Sequence, residues 1–135
     1  YFLKAANPHN GLSPTKTELG APSSVAATGF GLAIYPIGVE RGFTSREVAV
    51  DRGLVTLRFF LHSIQGPEPE ATGCVAFYYH FLDCESCRRA WRSVVSTVLT
   101  TFLCGGRASA AAPSCPICSP LMGFCPYVSA APSPP

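Results

Sequence analysis

Charged side chains are scarce in this sequence, and their scarcity excludes one class of partner. Only 13% of the 135 residues are Asp, Glu, Lys or Arg, and the formal net charge is +2. The ten basic residues are scattered along the chain, whereas proteins that bind phosphate backbones cluster their Lys and Arg side chains. We therefore expect no nucleic-acid partner.

Long hydrophobic runs are also missing, although 47% of the residues are hydrophobic. A helix that crosses a bilayer needs roughly 18 or more consecutive apolar residues. The longest candidate, from Val94 to Cys104, is interrupted by serine and threonine. We expect this segment to be a buried helix and the chain to contain no membrane span. The sequence also shows no signal peptide after Tyr1.

Acidic residues are absent after Glu85, and the last part of the chain changes character. The segment from Pro113 to Pro135 contains seven of the thirteen prolines, and their spacing forbids a helix and disfavours a central strand. We expect residues 113–135 to form a disordered tail of low complexity. The length and apolar content of residues 1–112 fit one domain.

The first predicted helix begins after Ser24 and runs to about Tyr35. It is rich in alanine and glycine, and small side chains let neighbouring helices approach closely, so we expect it to be buried. Pro36 lacks the amide hydrogen that a helix needs, and Gly38 follows it. These two residues predict the end of the helix.

The second predicted helix runs from Thr44 to about Leu61. Thr44 and Glu47 have the spacing of a capping box, in which a hydroxyl and a carboxylate three residues later each bind a free amide. Apolar side chains recur on one side at helical spacing, at Val50, Leu54, Leu57 and Leu61. The pattern predicts an amphipathic helix that lies outside the first one.

A hairpin and a third helix complete the pattern. Ala76–Leu82 and Arg88–Arg92 are rich in aromatic or basic residues on either side of a turn, which predicts a β-hairpin. The segment from Ser93 to about Ala112 is apolar on nearly all sides and predicts a second buried helix. The predicted order is therefore a buried helix, an outer helix, a long irregular connection and a second buried helix. Inner and outer helices alternate in this way in a helical toroid.

Several segments, in order and at consistent spacing, resemble one protein family. Tyr35–Gly42 reads YPIGVERG, Gln65–Gly73 reads QGPEPEATG, and Phe77–Asp83 reads FYYHFLD. Further matching segments are Ala5–Leu12, Ser23–Phe30, Thr56–Phe60 and Arg88–Trp91. These motifs resemble the glycoamylase-like domain of bacterial β-1,2-glucan hydrolases, from Tyr1 to about Ala112.

The resemblance implies an all-α fold, namely a partial (α/α)6 toroid of about three helices plus a β-hairpin. It also implies a periplasmic or secreted glycoside hydrolase that cleaves glucan with inversion, binds glucan oligosaccharide or polysaccharide, and uses no cofactor. Inversion needs an acid on the leaving oxygen and a second carboxylate that activates water, roughly 6.5–9.5 Å apart. Because such a barrel is longer than this chain, the remainder of the domain is an implied partner.

The resemblance places the sugar cleft where the loops Asn7–Ser24 and Gln65–Ser93 gather, at the N-terminal ends of the buried helices. Aromatic rings there would stack on sugar faces, and polar side chains would bond hydroxyl groups. The candidate substrate-binding residues are Lys16, Tyr79, His80, Arg89 and Trp91. Asp83 is the candidate catalytic carboxylate. The alternative for the aromatic residues is packing within the hairpin.

Several positions depart from the family pattern, and the losses fall on polar positions and on a turn glycine. The family carries two acids at the start of the helix that corresponds to Ser93–Ala112, where this chain has Val94 and Leu99. An acidic, a tyrosine and a glycine position are occupied by Thr15, Cys74 and Cys87. An apolar residue cannot transfer a proton, which forfeits roughly 10²- to 10⁴-fold of acid–base catalysis. The hypothesis is a glycoside hydrolase fragment that is inactive on its own.

The seven cysteines support a competing hypothesis, a small zinc-binding module. Cys84 and Cys87 form one C-x2-C pair, and Cys115 and Cys118 form a second, so four thiolates are available for a zinc ion. The 27 residues between the pairs exceed the usual gap of roughly 15–20 residues. The spacing therefore argues against zinc.

A third hypothesis is a carbohydrate-binding remnant without catalysis. It would use the aromatic rings around the hairpin, those of Tyr78, Tyr79 and Trp91. Titration with β-1,2-glucan separates this hypothesis from an inert fragment.

Overall fold

The computed structural model describes residues 1–110, which form helices and short strands. In chain order the elements are α1 (Phe2–Ala5), β1 (Ser23–Ser24), α2 (Val25–Glu40), α3 (Arg46–His62), β2 (Gly73–Cys74), β3 (Phe77–Tyr78), β4 (Phe81–Leu82) and α4 (Thr97–Ala110). Helices dominate and each strand has only two residues, so a mainly helical fold is confirmed. The predicted tail, residues 113–135, lies outside the described residues.

Helix α2 is the central element, because it packs against both α3 and α4. Small and medium side chains make up most of its buried positions, which are Val25, Ala26, Thr28, Gly29, Gly31, Leu32 and Tyr35. The predicted burial of this helix is therefore confirmed over most of its surface. Ile34 and Ile37 remain exposed on another side.

The predicted end of this helix is wrong, because α2 continues through Pro36 as far as Glu40. A proline inside a helix costs about 3 kcal/mol, since it removes one hydrogen bond and crowds the preceding turn. Tyr35, directly before it, is buried in the core and offsets part of this cost. Beyond the proline, the amide of Arg41 donates to the carbonyl of Ile37 at 3.0 Å, so the helical hydrogen bonding resumes.

Helix α3 begins at Arg46, two residues later than predicted, and its cap is Ser45 rather than Thr44. The Ser45 hydroxyl accepts a hydrogen bond from the amide of Val48 at 3.3 Å. Glu47 lies in the first turn, where a negative charge interacts favourably with the helix dipole.

The buried face of α3 also differs from the predicted one. The predicted face contained Leu57, which is buried, and Leu61, which is 50% exposed. The buried residues of the helix are Ala49, Gly53, Thr56, Leu57 and Phe60. Apart from Leu57 and Phe60, these buried residues are small or, at position 56, a threonine. The apolar pattern instead favoured the larger side chains of the predicted face.

Helix α4 begins at Thr97 rather than at Ser93, because the preceding residues are extended. Val95 forms an antiparallel bridge with Tyr79, and this pairing delays the helix. The helix packs on α2, and Leu103 is fully buried. The expectation that α4 is buried on nearly all sides is wrong for the chain as described, since Val98 is 64% exposed.

The predicted hairpin is replaced by two separate strand pairs. Strand β2 pairs with β3, and β1 pairs with β4, both antiparallel. The segment 88–92 forms no strand; it contacts β4 through a single bridge between Leu82 and Arg89. The predicted turn between these two residues is confirmed, since the amide of Asp83 donates to the carbonyl of Arg88 at 2.8 Å.

One hydrophobic core joins the helices to the loops. It contains Leu12, Val25, Leu32, Tyr35, Ala49, Leu57, Phe60, Ala71, Tyr78, Tyr79, Leu82 and Leu103. Four of these residues, from Ala71 to Leu82, belong to the segment between α3 and α4, so this segment is part of the core. Among residues 1–110, no helix has both the length and the apolar character that a bilayer crossing requires.

Candidate functional site

The two long loops of the chain come together at the N-terminal ends of α2 and α4. Strand β1, which precedes α2, pairs with β4. The amide of Val25 donates to the carbonyl of His80 at 3.3 Å, and the amide of His80 donates to the carbonyl of Val94 at 3.0 Å. The segment Phe81–Leu82 therefore lies between the starts of the two helices, and the loops that carry the candidate site residues meet there.

A cleft of about 720 Å³ opens beside this junction. It brings together two of the predicted site residues, Lys16 and Asp83, from the two different loops. Tyr1, Lys4 and Glu85 also line it; no motif or periodic pattern marks these three as ligand-binding residues. The cleft thus contains both cationic and carboxylate side chains, as a site for a hydroxylated ligand would.

Asp83 is held by the turn that it begins. Its Oδ1 atom accepts hydrogen bonds from the amides of Glu85 at 3.1 Å and Ser86 at 2.7 Å, and from the Ser86 hydroxyl at 2.8 Å. The bonds from Ser86, and then the one from Glu85, hold the pKa of Asp83 below its ordinary value. These hydrogen bonds therefore favour the ionised form of the carboxylate over the protonated form that a proton donor needs.

The other predicted residues form a second group, which gathers around Phe81 and Tyr79. His80 stacks on Phe81 with the ring centroids 4.1 Å apart, and Phe81 meets Trp91 edge to face at 5.4 Å. Trp91 is 74% exposed. This row, hereafter the aromatic row (His80, Phe81 and Trp91), presents one large ring to solvent while its neighbours support it.

Arg89 and Tyr79, the remaining two predicted residues, contact each other. The Arg89 guanidinium lies over the Tyr79 ring, with its carbon 4.3 Å from the ring centroid. Tyr79 is only 4% exposed, and its hydroxyl donates to the carbonyl of Gly66 at 3.0 Å. Tyr78, the remaining aromatic residue of the carbohydrate-binding hypothesis, is 8% exposed. Packing therefore occupies both tyrosines, and Trp91 is the exposed ring.

The backbone beneath Trp91 has an unusual conformation. Trp91 and Arg92 both have φ of +53°, which costs a residue other than glycine roughly 1–2 kcal/mol. Such conformations persist where the surroundings over-determine them, and they are frequent at ligand sites. The sequence contained no sign of this feature, because neither residue type favours it.

The two positions where the family pattern has acids lie near this junction but carry apolar side chains. Val94 is 69% exposed, and its carbonyl accepts the amide of His80. Leu99 lies in the first turn of α4. Neither can transfer a proton, so the acids of this region are the three that line the cleft, Glu18, Asp83 and Glu85.

Only one half of the predicted zinc site lies in the described part of the chain. Cys84 and Cys87 lie in the turn that Asp83 begins, whereas Cys115 and Cys118 lie outside the described residues. Burial, and then the charge of Asp83, raises the pKa of Cys84 to about 11, which disfavours the thiolate that binds metals. Within residues 1–110, no three His, Cys, Asp or Glu side chains assemble into a metal site.

Comparison with known proteins identifies the fold. No protein-family model and no curated protein matches the chain. Solved structures do: a glucoamylase-like protein from Bacteroides uniformis has a TM-score of 0.72 at 22% identity, and one from Bacteroides fragilis has 0.69 at 22%. An endo-β-1,2-glucanase from Chitinophaga pinensis, solved with sophorotriose and glucose, has 0.68 at 19%.

The extent of these matches is as informative as their scores. Each covers 92% of this chain but only 31% of the similar protein. The resemblance seen in the sequence motifs is thereby confirmed as a likeness of fold, and the chain spans about 31% of the length of the glucoamylase-like and glucanase structures whose fold it shares.

Proposed function

We propose that this chain is part of a glucan-hydrolase domain of the (α/α)6 toroid type and does not cleave glucan by itself. The observation that carries the proposal is the shared fold with an endo-β-1,2-glucanase, over 92% of this chain. The exposed side of α4, where Val98 is 64% exposed, supports the idea that further helices complete the domain.

The proposed inactivity follows from the chemistry of the cleft. Inverting hydrolysis needs a protonated acid and a separate carboxylate base, roughly 6.5–9.5 Å apart. Asp83 has a lowered pKa and is held by three hydrogen bonds, so it fits the base better than the acid. Val94 and Leu99 occupy the positions where the family resemblance implies acids. The other acids of the cleft, Glu18 and Glu85, are both exposed, so the cleft offers no buried second acid to complete the pair that the reaction needs.

Incubation with linear β-1,2-glucan tests this proposal. The expected result is no release of sophorooligosaccharides, measured by chromatography of the products beside an intact endo-β-1,2-glucanase as positive control. Release by this chain would overturn the proposal. If release also disappeared in Asp83→Asn, Asp83 would be assigned as catalytic.

A second function, carbohydrate binding without cleavage, is favoured by the aromatic row. Trp91 is 74% exposed and is supported by Phe81 from one side, an arrangement suited to stacking against the apolar face of a pyranose. Large rings that are apolar on their faces and polar at their tips are the usual contacts in such sites. We propose glucan oligosaccharides as the ligands.

Trp91 provides its own probe, because it is the only tryptophan of the chain. Sophorotriose is expected to change its fluorescence in a saturable titration, whereas Trp91→Ala is expected to lose binding in calorimetry. Phe43→Ala serves as the matched control, since Phe43 is an exposed aromatic residue between α2 and α3, outside both the aromatic row and the cleft. An unchanged spectrum with both sophorotriose and linear β-1,2-glucan would refute the binding function.

A further inference from the structure

The left-handed backbone at Trp91 and Arg92 needs a physical cause, and the structure offers one side chain. Nε of Arg89 donates to the carbonyl of Ser93, and Nη2 donates to the carbonyl of Arg92 at 2.9 Å. One planar guanidinium thus binds the carbonyls of two consecutive residues, the second left-handed residue and the one after it. The fixed geometry of the guanidinium restricts the backbone more than a single donor does.

Arg89 is itself anchored to the core. Its guanidinium carbon lies 4.3 Å from the centroid of the Tyr79 ring, and the Tyr79 hydroxyl is bound to the carbonyl of Gly66. The Ser93 hydroxyl also bonds to the backbone of Phe81. A continuous set of contacts therefore joins the buried core to the segment that carries the exposed tryptophan.

We propose that Arg89 is a positioning residue that holds residues 91 and 92 in the left-handed conformation and thereby presents the Trp91 ring to a sugar. This inference rests on the carbohydrate-binding function proposed above. It also replaces the role that the sequence suggested for Arg89, direct contact with the sugar, because two of its nitrogen atoms are bonded to backbone carbonyls.

The position of the ring explains why such a device would be useful. A tryptophan that is free to rotate at the surface would pack against neighbouring apolar side chains, such as Val94, which is 69% exposed. Fixing the backbone keeps one face of the ring in solvent while its edge rests on Phe81. A ring that is ordered before binding loses less entropy when a sugar stacks on it.

Arg89→Met tests the inference, because it keeps an unbranched apolar stem and removes the donors. Sophorotriose binding is expected to weaken about tenfold, which corresponds to about 1.4 kcal/mol. Without sugar, the Trp91 emission is expected to shift to shorter wavelength and to become less sensitive to acrylamide. Arg89→Lys should behave similarly, since an ammonium group cannot bind two carbonyls as a planar fork.

A second substitution provides the rescue. Glycine adopts positive φ without steric cost, so Arg92→Gly in the Arg89→Met background is expected to restore most of the binding and of the original emission. Arg88→Met is the matched control, because it removes the neighbouring charge from an exposed ion pair with Glu70. Urea unfolding of each variant verifies that the fold persists.

The outcomes separate this inference from the function on which it rests. If Arg89→Met leaves both emission and binding unchanged, the positioning role is wrong. If binding is lost and glycine at position 92 does not restore it while emission stays constant, Arg89 contacts the sugar directly. If the unmodified chain does not bind sugar but the emission still responds to Arg89→Met and recovers with Arg92→Gly, the positioning stands and the proposed function falls.

Discussion

Residues 1–62 and residues 63–96 differ in which amino acids adopt left-handed backbone. In the first region the residues with positive φ are Gly11, Gly20 and Gly42. In the second they are Val75, Ala76, Cys87, Trp91 and Arg92, none of which is glycine. At its left-handed positions the helical region (residues 1–62) therefore follows local preferences. The segment between α3 and α4, hereafter the loop layer (residues 63–96), departs from them repeatedly.

The loop layer keeps this conformation because distant contacts hold it. The Tyr78 hydroxyl donates to the carbonyl of Phe60 at 3.1 Å, and the Tyr78 amide donates to the Thr100 hydroxyl at 3.0 Å. Asn7 and Asn10 each donate a side-chain hydrogen bond to the carbonyl of Cys84. Local strain is thus compensated by tertiary bonds to both neighbouring helices and to the N-terminal loop.

The largest effect is expected from removing the apolar anchor of the loop layer. Leu82 is fully buried, and Leu82→Ala is expected to lower the free energy of unfolding by about 2–5 kcal/mol, the usual cost of truncating a buried leucine. Urea denaturation measures it. Leu61→Ala is the control, because Leu61 on α3 is 50% exposed and should cost much less.

This experiment also tests whether the two regions are one cooperative unit. A single transition that shifts as a whole would show that the loop layer unfolds with the helices. An early separate transition in Leu82→Ala, with the helical signal unchanged, would contradict the idea that one core joins them.

The next effect is expected in the turn between β2 and β3. Val75 and Ala76 form a two-residue connection, and both have positive φ, at +51° and +64°. Such turns strongly favour Asn-Gly, because valine and alanine carry a Cβ that is strained there. Val75→Asn with Ala76→Gly is expected to raise the free energy of unfolding by about 1–2 kcal/mol, by relief of this strain.

The matched control places the same kind of change where the backbone is helical. Ala27→Gly in α2 is expected to lower the free energy of unfolding by about 1 kcal/mol, because glycine weakens a helix interior. The contrast between the regions would be confirmed if the free energy of unfolding rises in the turn variant and falls in Ala27→Gly. A destabilised turn variant would show that Val75 is needed for packing.

These contrasts explain how much could be predicted from the sequence. The helical region was predictable in outline, because small residues mark α2 and spacing marks α3. Its errors arose where tertiary packing overrode local rules: Tyr35 is buried on a helix that passes through Pro36, and Val95 pairs with Tyr79 and so delays α4.

The candidate site was predictable only in part, for a related reason. The family resemblance led to the two loops that the structure brings together, and to Lys16 and Asp83 in one cleft. The conformation of Trp91 depends instead on bonds from Arg89 to backbone carbonyls. No residue type or spacing in the sequence encodes such a bond.

A smaller effect is expected at Cys87, where the family pattern has a turn glycine. Its φ of +62° favours glycine, so Cys87→Gly is expected to stabilise the chain by about 0.5–1 kcal/mol, the relief of strain less the greater flexibility of glycine in the unfolded state. Asn10, which donates to the Cys87 sulfur, keeps its bond to the Cys84 carbonyl. Thermal unfolding under reducing conditions measures the change.

The same substitution three residues earlier is the control. Cys84 is absent from the residues with positive φ among residues 1–110, so Cys84→Gly gains no relief of strain and is expected to destabilise the chain by about 0.5–1 kcal/mol. Equal effects at the two cysteines would contradict the assignment of strain to Cys87.

The smallest effect is expected from the titration of Asp83, which ties the same turn together but is partly exposed. Its pKa is lowered in the folded chain by bonds from Ser86 and Glu85. The carboxylate therefore adds stability above the unfolded pKa of about 3.9, and this contribution is lost as the pH falls through the lower folded value. Asp83→Asn keeps an acceptor oxygen that does not titrate, so the gap in unfolding temperature between the two proteins should narrow in acid.

The hydroxyl of Ser86 provides the graded version of this experiment. Ser86→Ala removes one of the donors that lower the Asp83 pKa and keeps the backbone amide. The stability that this variant loses in acid should therefore lie between the losses of the unmodified chain and of Asp83→Asn. Thermal unfolding from about pH 2 to pH 7 follows the loss of this contribution below the unfolded pKa of about 3.9. Three parallel curves would mean that the hydrogen bond from Asn10 to the Cys84 carbonyl holds the turn instead, and the Asp83 turn would then owe its shape to neutral contacts alone.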